Sequence, residues 1–300
     1  MIEEYDLFSF STPRFHIGNK KIRLIELFAG IGSQYAALKR LGADVESWKV
    51  VEWDRYAIAS FNAVHGTSYE TSDIQKIHAE DLEIKERDKY CYIMTYSFPC
   101  QDISGAGRGA GLAKGSGTRS GLLWEVERIL DECGEDLPHV LLLENVPLLV
   151  GKKHIKNFQL WRSKLESLGY SNYVQLLNAK NYGIPQNRNR CFMVSILGDY
   201  YYQFPKKIPL ERKLKDMLED KVDEKYYLSD TIIKGFLHHN EVNKERNRGF
   251  NFEPYERERE SSKYFGRCCV HESNEQLPKR EYSKAIQTRT GRPETEYIKE

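Results

Sequence analysis

The sequence lacks the long apolar run, the paired cysteines and the strong net charge that assign many proteins to a class at once. It contains no apolar stretch of 18 residues, so we expect no membrane span. Its first residues, MIEEYDLFSFSTPRF, are acidic and mixed, unlike the start of a secretory signal. The net charge is only +1, so binding to nucleic acid would need a locally basic face rather than a global field. Function must therefore come from motifs.

The cysteines form neither a CxxC pair nor a zinc-ligand spacing, so we expect no metal site. Free thiols in a reducing cytoplasm are the plain interpretation of six such residues. They are Cys91, Cys100, Cys133, Cys191, Cys268 and Cys269. A hydrophobic content of 40% and an aromatic content of 12% suit a globular enzyme. The length of 300 residues predicts one large domain plus a smaller one, or part of one.

Short apolar runs alternate with amphipathic stretches over the first two thirds of the chain. We predict strands at Arg23–Phe28, Trp48–Glu52, Tyr90–Tyr96, Val140–Glu144, Tyr173–Leu177 and Cys191–Leu197. We predict helices at Ser33–Leu41, Arg55–Val64, Leu122–Cys133 and Ile155–Leu168, each followed by a glycine that can cap it. This alternation predicts a Rossmann-like α/β fold, a mostly parallel sheet with helices on both faces. Ligands of such sheets bind beyond the carboxyl ends of the strands.

The composition changes after about Gly198. Residues 205–260 are rich in Lys, Glu, Asp and Arg, with few apolar runs apart from Tyr226–Leu237. We therefore divide the chain into an N-terminal extension (1–21), a catalytic and cofactor-binding domain (22–198) and a partial second region (199–300).

A glycine turn follows the first predicted strand in RLIELFAGIGSQYAALKRLG. Gly30 and Gly32 let the backbone turn sharply and approach a ligand closely. A dinucleotide fingerprint would place a third glycine at the position of Tyr35, so a pyrophosphate ligand is disfavoured. We expect a ligand without phosphates at this turn.

Acidic residues follow the next predicted strand ends. Glu52, twenty residues after Gly32, could accept both hydroxyls of a ribose. Asp73 could accept a hydrogen bond from an adenine amino group, and Phe28 could lie against the adenine ring. Asp54 is interpreted instead as a cap of the following helix. Taken singly, each carboxylate is more often a surface group; their order along the chain favours a cofactor site.

A third strand ends in the segment YIMTYSFPCQDISGAGRGAG, and here a family resemblance becomes specific. Pro-Cys-Gln followed by Ser104 and a glycine-rich stretch is similar to the nucleophile motif of DNA cytosine-C5 methyltransferases. Further motifs follow in the family's order over roughly residues 22–197. They are LFAGIG at the cofactor turn, Glu144-Asn145-Val146, Asn178, YGIPQ, and Gln186-Asn-Arg188-Asn-Arg190.

The resemblance implies S-adenosylmethionine as methyl donor, double-stranded DNA as substrate and Cys100 as nucleophile. It also implies that Glu144 acts at N3 of the cytosine, that Arg190 holds O2, and that Arg188 helps to fix the thiol and its loop. We expect Glu144 to end a strand that is buried on both faces, which would raise its pKa. Pro99 is implied as a cofactor contact. A lone cysteine at a strand end is more often a small buried hydrophobe, and only the joint motifs favour the enzyme.

The stretch Gly105–Ser120 holds six glycines among sixteen residues, which predicts a flexible loop beside the nucleophile. Arg108 and Lys114 could meet phosphates there. By resemblance, Gln101 and Ser104 are the loop's contacts to DNA. The implied setting is a bacterial or phage restriction–modification enzyme in the cytoplasm.

The sequence departs from the family after the arginine motif. Neither the Leu-Thr-Pro-x-Glu motif nor the Gly-Asn motif, whose helix packs beside the cofactor turn, is found, although SKAIQTRTGRPETEYIKE resembles the approach to the recognition region. One wall of the cofactor pocket is then expected to be missing. A second polypeptide could supply these motifs, or the chain could be a truncated relic or a cut piece. The alternatives to an active DNA enzyme are therefore a subunit inactive alone and an RNA cytosine methyltransferase.

Overall fold

A computed structural model describes residues 12–103, 111–219, 222–223 and 226–245, together with the backbone of residues 284–290 and 292–299. The chain divides into two compact units. The first comprises Met1–Leu177 and Arg190–Pro205, and the second Asn178–Asn189 and Lys206–Glu300.

Six strands form the main sheet. They are β1 (Lys21–Leu27), β2 (Val45–Val51), β3 (Tyr90–Tyr96), β4 (Val140–Asn145), β5 (Tyr170–Asn178) and β6 (Asn189–Leu197), in the order β2-β1-β3-β4-β6-β5. Strands β1 to β4 are parallel, and β6 is antiparallel to β4. All six predicted strands exist, and the mostly parallel α/β fold is confirmed.

The described part of the first unit contains five α-helices, and all except the third, which was not predicted, begin and end close to the predicted residues. They are α1 (Ser33–Arg40), α2 (Arg55–His65), α3 (Ala79–Leu82), α4 (Leu123–Cys133) and α5 (Ile155–Ser167). Gly66 after α2 has the left-handed conformation that its capping position predicts. Helix α1 contains no fully buried residue.

Two apolar clusters cover opposite faces of the sheet. The larger cluster contains Val51 of β2 together with buried residues of α4 and α5, among them Trp161. The smaller one contains Val50 together with Ile58 and Phe61 of α2. Because successive side chains of a strand point to opposite faces, helices pack on both sides of the sheet, as predicted.

The second unit contains elements that the sequence patterns did not predict. Helix α6 spans Asp230–Glu245, and β7 (Lys284–Thr290) pairs antiparallel with β8 (Arg292–Lys299). Among the described residues, the helices are too short or too polar to cross a membrane.

Candidate active site

Four strands end together at one edge of the sheet. Leu27 lies opposite Val51 on one side and Tyr96 on the other, and Tyr96 lies opposite Leu143. The segments that follow these residues therefore meet at one edge, where ligands of parallel sheets bind. The glycine turn, Glu52 and the Cys100 segment follow these strand ends, whereas Asp73 follows helix α2 and not a strand, contrary to expectation.

The turn after β1 requires glycine at one position for two reasons. Gly32 has a φ of 75°, in the left-handed region that side chains disfavour. A Cβ atom there would lie 2.4 Å from Nε2 of His65 and 2.6 Å from the ring of Phe61. Phe28 also has a positive φ, 58°, which is uncommon outside glycine. The backbone at this turn is held in a tight, defined shape.

Glu52 at the end of β2 contacts the glycine turn directly. Its Oε2 accepts the backbone N–H of Gly30 at 2.9 Å, and its Oε1 accepts that of Asp54 at 2.9 Å. Asp54 in turn caps α2, accepting the N–H groups of Tyr56 and Ala57 at 2.7 and 3.0 Å, as predicted. The Glu52 carboxylate is thus built into the turn and is not a free surface group.

A cavity of about 840 Å³ opens at this edge of the sheet. Of the predicted cofactor residues, Phe28, Glu52, Asp73 and Pro99 line it, whereas Gly30 and Gly32 do not. Sequence analysis missed several further lining residues, including Trp53, Ser97, Trp124 and Glu125. Trp53 is 76% exposed. Trp53 could have been identified from the sequence, because a large aromatic residue that directly follows the predicted ribose-binding carboxylate, Glu52, indicates a further contact to the ligand.

The charge of the cavity favours a cationic ligand. Four of its described lining residues are carboxylates, namely Glu52, Asp54, Asp73 and Glu125, against the single guanidinium of Arg119. Phosphates would be repelled here, whereas the sulfonium and ammonium groups of S-adenosylmethionine would be attracted. The residues present therefore fit that cofactor.

The nucleophile candidate lies on a turn after β3 that is held at both ends. Asn145, buried at the end of β4, donates from Nδ2 to the carbonyl of Phe98 at 3.0 Å. Ser120, also buried, donates from Oγ to the carbonyl of Pro99 at 2.7 Å and accepts the N–H of Asp102 at 3.2 Å. Cys100 lies between these anchors and is half-buried.

The other described cysteines are free thiols in different surroundings. Cys91 and Cys191 are fully buried and Cys133 nearly so. Burial raises the pKa of the thiol to about 11 in Cys91 and Cys191 and to about 12 in Cys133. These three are therefore poor nucleophiles at neutral pH. Cys268 and Cys269 lie outside the described residues.

Glu144 forms an ion pair at the end of β4. Its Oε1 lies 2.9 Å from Nε of Arg190 on the neighbouring strand β6, and the two side chains are 22% and 23% exposed. The expectation of a strand buried on both faces is wrong, because buried and half-buried residues alternate along β4. The half-buried face holds Glu144 next to the predicted partner Arg190.

Cys100 follows β3 and Glu144 lies near the end of the adjacent parallel strand β4, and the Asn145–Phe98 hydrogen bond joins the two segments. Neither side chain lines the cavity, but Pro99 and Gln101 on both sides of Cys100 do.

Arg188 belongs to the second unit, where its backbone carbonyl accepts the N–H of Ala179 at 3.0 Å.

Part of the glycine-rich loop can be placed. Gln101 accepts a hydrogen bond from Arg119 at 2.8 Å. Lys114 donates to Glu127 at 2.7 Å, so its ammonium has a protein partner here rather than a phosphate. Ser104 and Arg108 lie outside the described residues.

Comparison with known proteins identifies the family. A family model described as "C-5 cytosine-specific DNA methylase" matches residues 22–299, well beyond residue 197, where the motifs found in the sequence end. The chain is 33% identical over 266 residues to the orphan methyltransferase M.SssI of Spiroplasma monobiae, covering 71% of this chain and 69% of that one. It is 36% identical over 260 residues to the type II methyltransferase M2.ScrFI of Lactococcus lactis subsp. cremoris, covering 71% of each.

Among solved structures, the fold resembles the crystal structure of the S. pombe Dnmt2 methyltransferase. The TM-score is 0.56 at 22% identity, covering 74% of this chain and 67% of the other. The family match and the sequence identities agree with the fold and with the cavity. The chain belongs to the C-5 cytosine-specific DNA methylases, which are enzymes that use S-adenosylmethionine as methyl donor.

Proposed function

We propose that this chain methylates carbon 5 of a cytosine that is flipped out of double-stranded DNA, through a covalent adduct at Cys100. The observation that carries the proposal is that two adjacent strands, β3 and β4, end side by side. The segment after β3 bears the half-buried Cys100, whose turn is held by hydrogen bonds to the carbonyls of Phe98 and Pro99. The end of β4 bears Glu144, paired with Arg190. The acidic cavity beside Pro99 and Gln101 supports a cofactor on the same side of the sheet.

A thiolate at Cys100 solves the main chemical problem of the reaction. Carbon 5 of cytosine is too weak a nucleophile to take a methyl group directly. Addition of sulfur to carbon 6 converts the ring to an enamine that is nucleophilic at carbon 5. Once carbon 5 carries the methyl group that the cofactor would supply, a base removes the carbon 5 proton, the bond between carbon 6 and sulfur breaks, and the thiolate leaves.

Glu144 and the arginines would stabilise the base during this addition. Electron density moves toward N3 of the ring, where a proton or hydrogen bond from Glu144 lowers the barrier. Arg190, which already holds Glu144, would donate to O2 of the cytosine. Arg188 is proposed to fix the thiol and its loop.

The cofactor would occupy the acidic cavity. Glu52 is proposed to bind the ribose hydroxyls and Asp73 the adenine amino group, with Phe28 and Pro99 against the ring system. Gly30 and Gly32 shape the turn that aims Glu52. When bound, S-adenosylmethionine supplies an electrophilic methyl group on its sulfonium.

Contacts to DNA are proposed for Gln101, Ser104 and Arg108. The names of the type II relatives support a role in restriction–modification in a bacterial or phage setting. The expectation of a second polypeptide gains no support from the comparisons, so the chain is best assayed alone first.

Transfer of tritium from labelled S-adenosylmethionine to duplex DNA tests the proposal. The wild-type chain should label DNA, and Cys100→Ser should abolish labelling, whereas the control Cys133→Ser should retain it. DNA carrying 5-fluorocytosine should trap a protein–DNA adduct, since fluorine blocks the final proton removal. Labelling of transfer RNA in place of DNA, or full activity of Cys100→Ser, would contradict the proposal.

A further inference from the structure

Arg128 of α4 lies behind the cofactor cavity without lining it. Its guanidinium donates to the carbonyls of Ile74 and Ile77, at 3.2 and 2.8 Å. These carbonyls belong to the short segment that contains the 3-10 helix Ile74–Lys76 and follows Asp73. One side chain of α4 thus binds both ends of that 3-10 helix.

The same guanidinium is held by two carboxylates of its own helix. Its Nε donates to Glu125 at 2.8 Å, and its Nη1 donates to Glu132 at 2.7 Å. Glu132 also accepts the backbone N–H of Ala79 at 3.1 Å and lies 3.1 Å from Nδ1 of His78. The network therefore fixes the chain from Ile74 to Ala79 against α4.

The two elements that Arg128 joins both contribute to the cavity wall. Asp73, Ile74 and Gln75 line it from the 3-10 segment, and Trp124 and Glu125 line it from α4. Glu125 is both a lining residue and a direct partner of Arg128.

The 3-10 segment has little regular structure to hold it in place. It is three residues long, and short 3-10 helices have poor hydrogen-bond geometry. On its N-terminal side, the N–H of Ser72 donates to the carbonyl of Glu52 at 2.8 Å. Asp73 uses its own carboxylate to accept the N–H of Gln75 at 3.1 Å. Besides the packing of buried Ile74 in the core, the hydrogen bonds of Arg128 hold the segment after Asp73 to α4.

We infer that Arg128 is a positioning residue that sets the spacing between Asp73 and Glu125 in the cavity wall, and thereby the affinity for S-adenosylmethionine. The inference rests on the proposed placement of the cofactor in this cavity. It assigns to Arg128 an effect on cofactor binding and none on the chemistry at Cys100 or on DNA affinity.

Calorimetric titration with S-adenosylmethionine tests the inference. Arg128→Gln removes the guanidinium that binds two carbonyls and two carboxylates. This change should weaken binding of the cofactor about 10-fold, as expected from the loss of charge-assisted hydrogen bonds. Arg128→Lys keeps the charge but cannot reach both carbonyls and both carboxylates, so it should weaken binding by a smaller factor. The matched control is Arg162→Gln, which removes an i,i+4 ion pair to Glu166 on α5 and should bind as the wild type does.

Kinetics separate positioning from general destabilisation. Arg128→Gln should raise KM for the cofactor while kcat at saturating cofactor and KM for DNA stay near the wild-type values. Wild-type affinity in folded Arg128→Gln would overturn the inference, and if that variant fails to fold, wild-type affinity in Arg128→Lys would do so. Glu52→Gln separates the two proposals, because retention of cofactor affinity in that variant would refute the placement of the cofactor itself.

Discussion

Glu26 is a fully buried carboxylate inside β1, on the sheet face opposite to the one on which Ile25 and Leu27 pack. Its Oε1 accepts the N–H of Tyr35 at 3.3 Å, and its Oε2 has no hydrogen-bond partner among the described residues. Burial raises the pKa of this carboxyl from 4.5 to about 7, although the Tyr35 hydrogen bond opposes the shift. The folded protein therefore binds a proton here that the unfolded chain releases at lower pH.

This shift predicts a pH dependence of folding stability. The pKa of Glu26 in the folded state lies above its value in the unfolded chain. The contribution of this carboxyl to the free energy of unfolding is therefore fully present below pH 4.5 and is lost as pH rises to about 7. As pH rises over this range, the free energy of unfolding of the wild type should fall by about 3 kcal/mol relative to that of Glu26→Gln, which has no titrating carboxyl at this position. Urea denaturation across the pH range measures it.

The matched control for Glu26 is the exposed carboxylate of Glu70. Glu70→Gln makes the same change in net charge without altering a buried group. If both variants show the same pH profile, the effect comes from net charge and the assignment to Glu26 is wrong.

Ser120 is predicted to control the nucleophile although it is twenty residues away in sequence. Ser120→Ala leaves the carbonyl of Pro99 and the N–H of Asp102 without their buried hydroxyl partner. The turn that carries Cys100 should then shift, and kcat for methylation should fall about 10-fold with KM for DNA unchanged. The rate of Cys100 alkylation by iodoacetamide, followed by peptide mapping, should change in parallel.

Ser171→Ala is the control for that experiment, since it removes a similar hydroxyl-to-carbonyl bond, to Gly198 at 2.8 Å, at a half-buried residue on β5. Unchanged kcat and alkylation rate in Ser120→Ala would show that the hydrogen bonds of Ser120 to Pro99 and Asp102 do not position the thiol of Cys100.

At the scale of elements, the unit of β1, glycine turn and α1 depends on Gly32. Gly32→Ala would place a side chain in a left-handed conformation and against His65 and Phe61 of α2. Left-handed backbone and overpacking together should lower the free energy of unfolding by about 2–5 kcal/mol. Gly42→Ala is a close control, because Gly42 has a φ of 71° but no atom within 4 Å of an added Cβ.

Urea denaturation of both variants separates the two causes. Gly42→Ala should lose only the backbone cost, about 1–2 kcal/mol, so the difference between the variants measures the steric part. Equal losses would mean that the contact with α2 relaxes at no cost and that packing does not demand glycine at position 32.

The strands and longer helices could be predicted because each carries a local signal. Apolar runs mark the strands, and closing glycines mark the ends of the helices, as at Gly42 and Gly66. The antiparallel direction of β6 could not be predicted, since pairing partners distant in sequence leave no periodic trace. Helix α6 overlaps the apolar run Tyr226–Leu237 in the charged stretch, but that run was not assigned to a helix.

Four residues that line the cavity could be named from the sequence, because they lie in or beside recognisable motifs: Phe28, Glu52, Asp73 and Pro99. Trp124, Ser120 and Arg128 were missed because their roles arise from contacts between elements far apart in sequence. The Glu144–Arg190 pair combines both cases, since the motifs named the residues and only the β4–β6 pairing placed them together.

At the scale of the whole molecule, the cofactor cavity lies within one of the two units. The lining residues that the structure describes fall between Phe28 and Glu125, and that range belongs to the first unit. Helix α6 belongs to the second. The cofactor should therefore stabilise a defined part of the chain rather than all of it.

Hydrogen exchange with and without S-adenosylmethionine measures this distribution. At one hundred times Kd, binding should stabilise the first unit by about 2.7 kcal/mol, seen as slower exchange of amides around Glu52, Asp73 and Trp124. Exchange in α6 should change little. Glu52→Gln under the same cofactor concentration should lose the protection, because the carboxylate that joins the glycine turn to the cavity is neutralised. Equal protection of α6 in the wild type would contradict a cofactor site confined to the first unit.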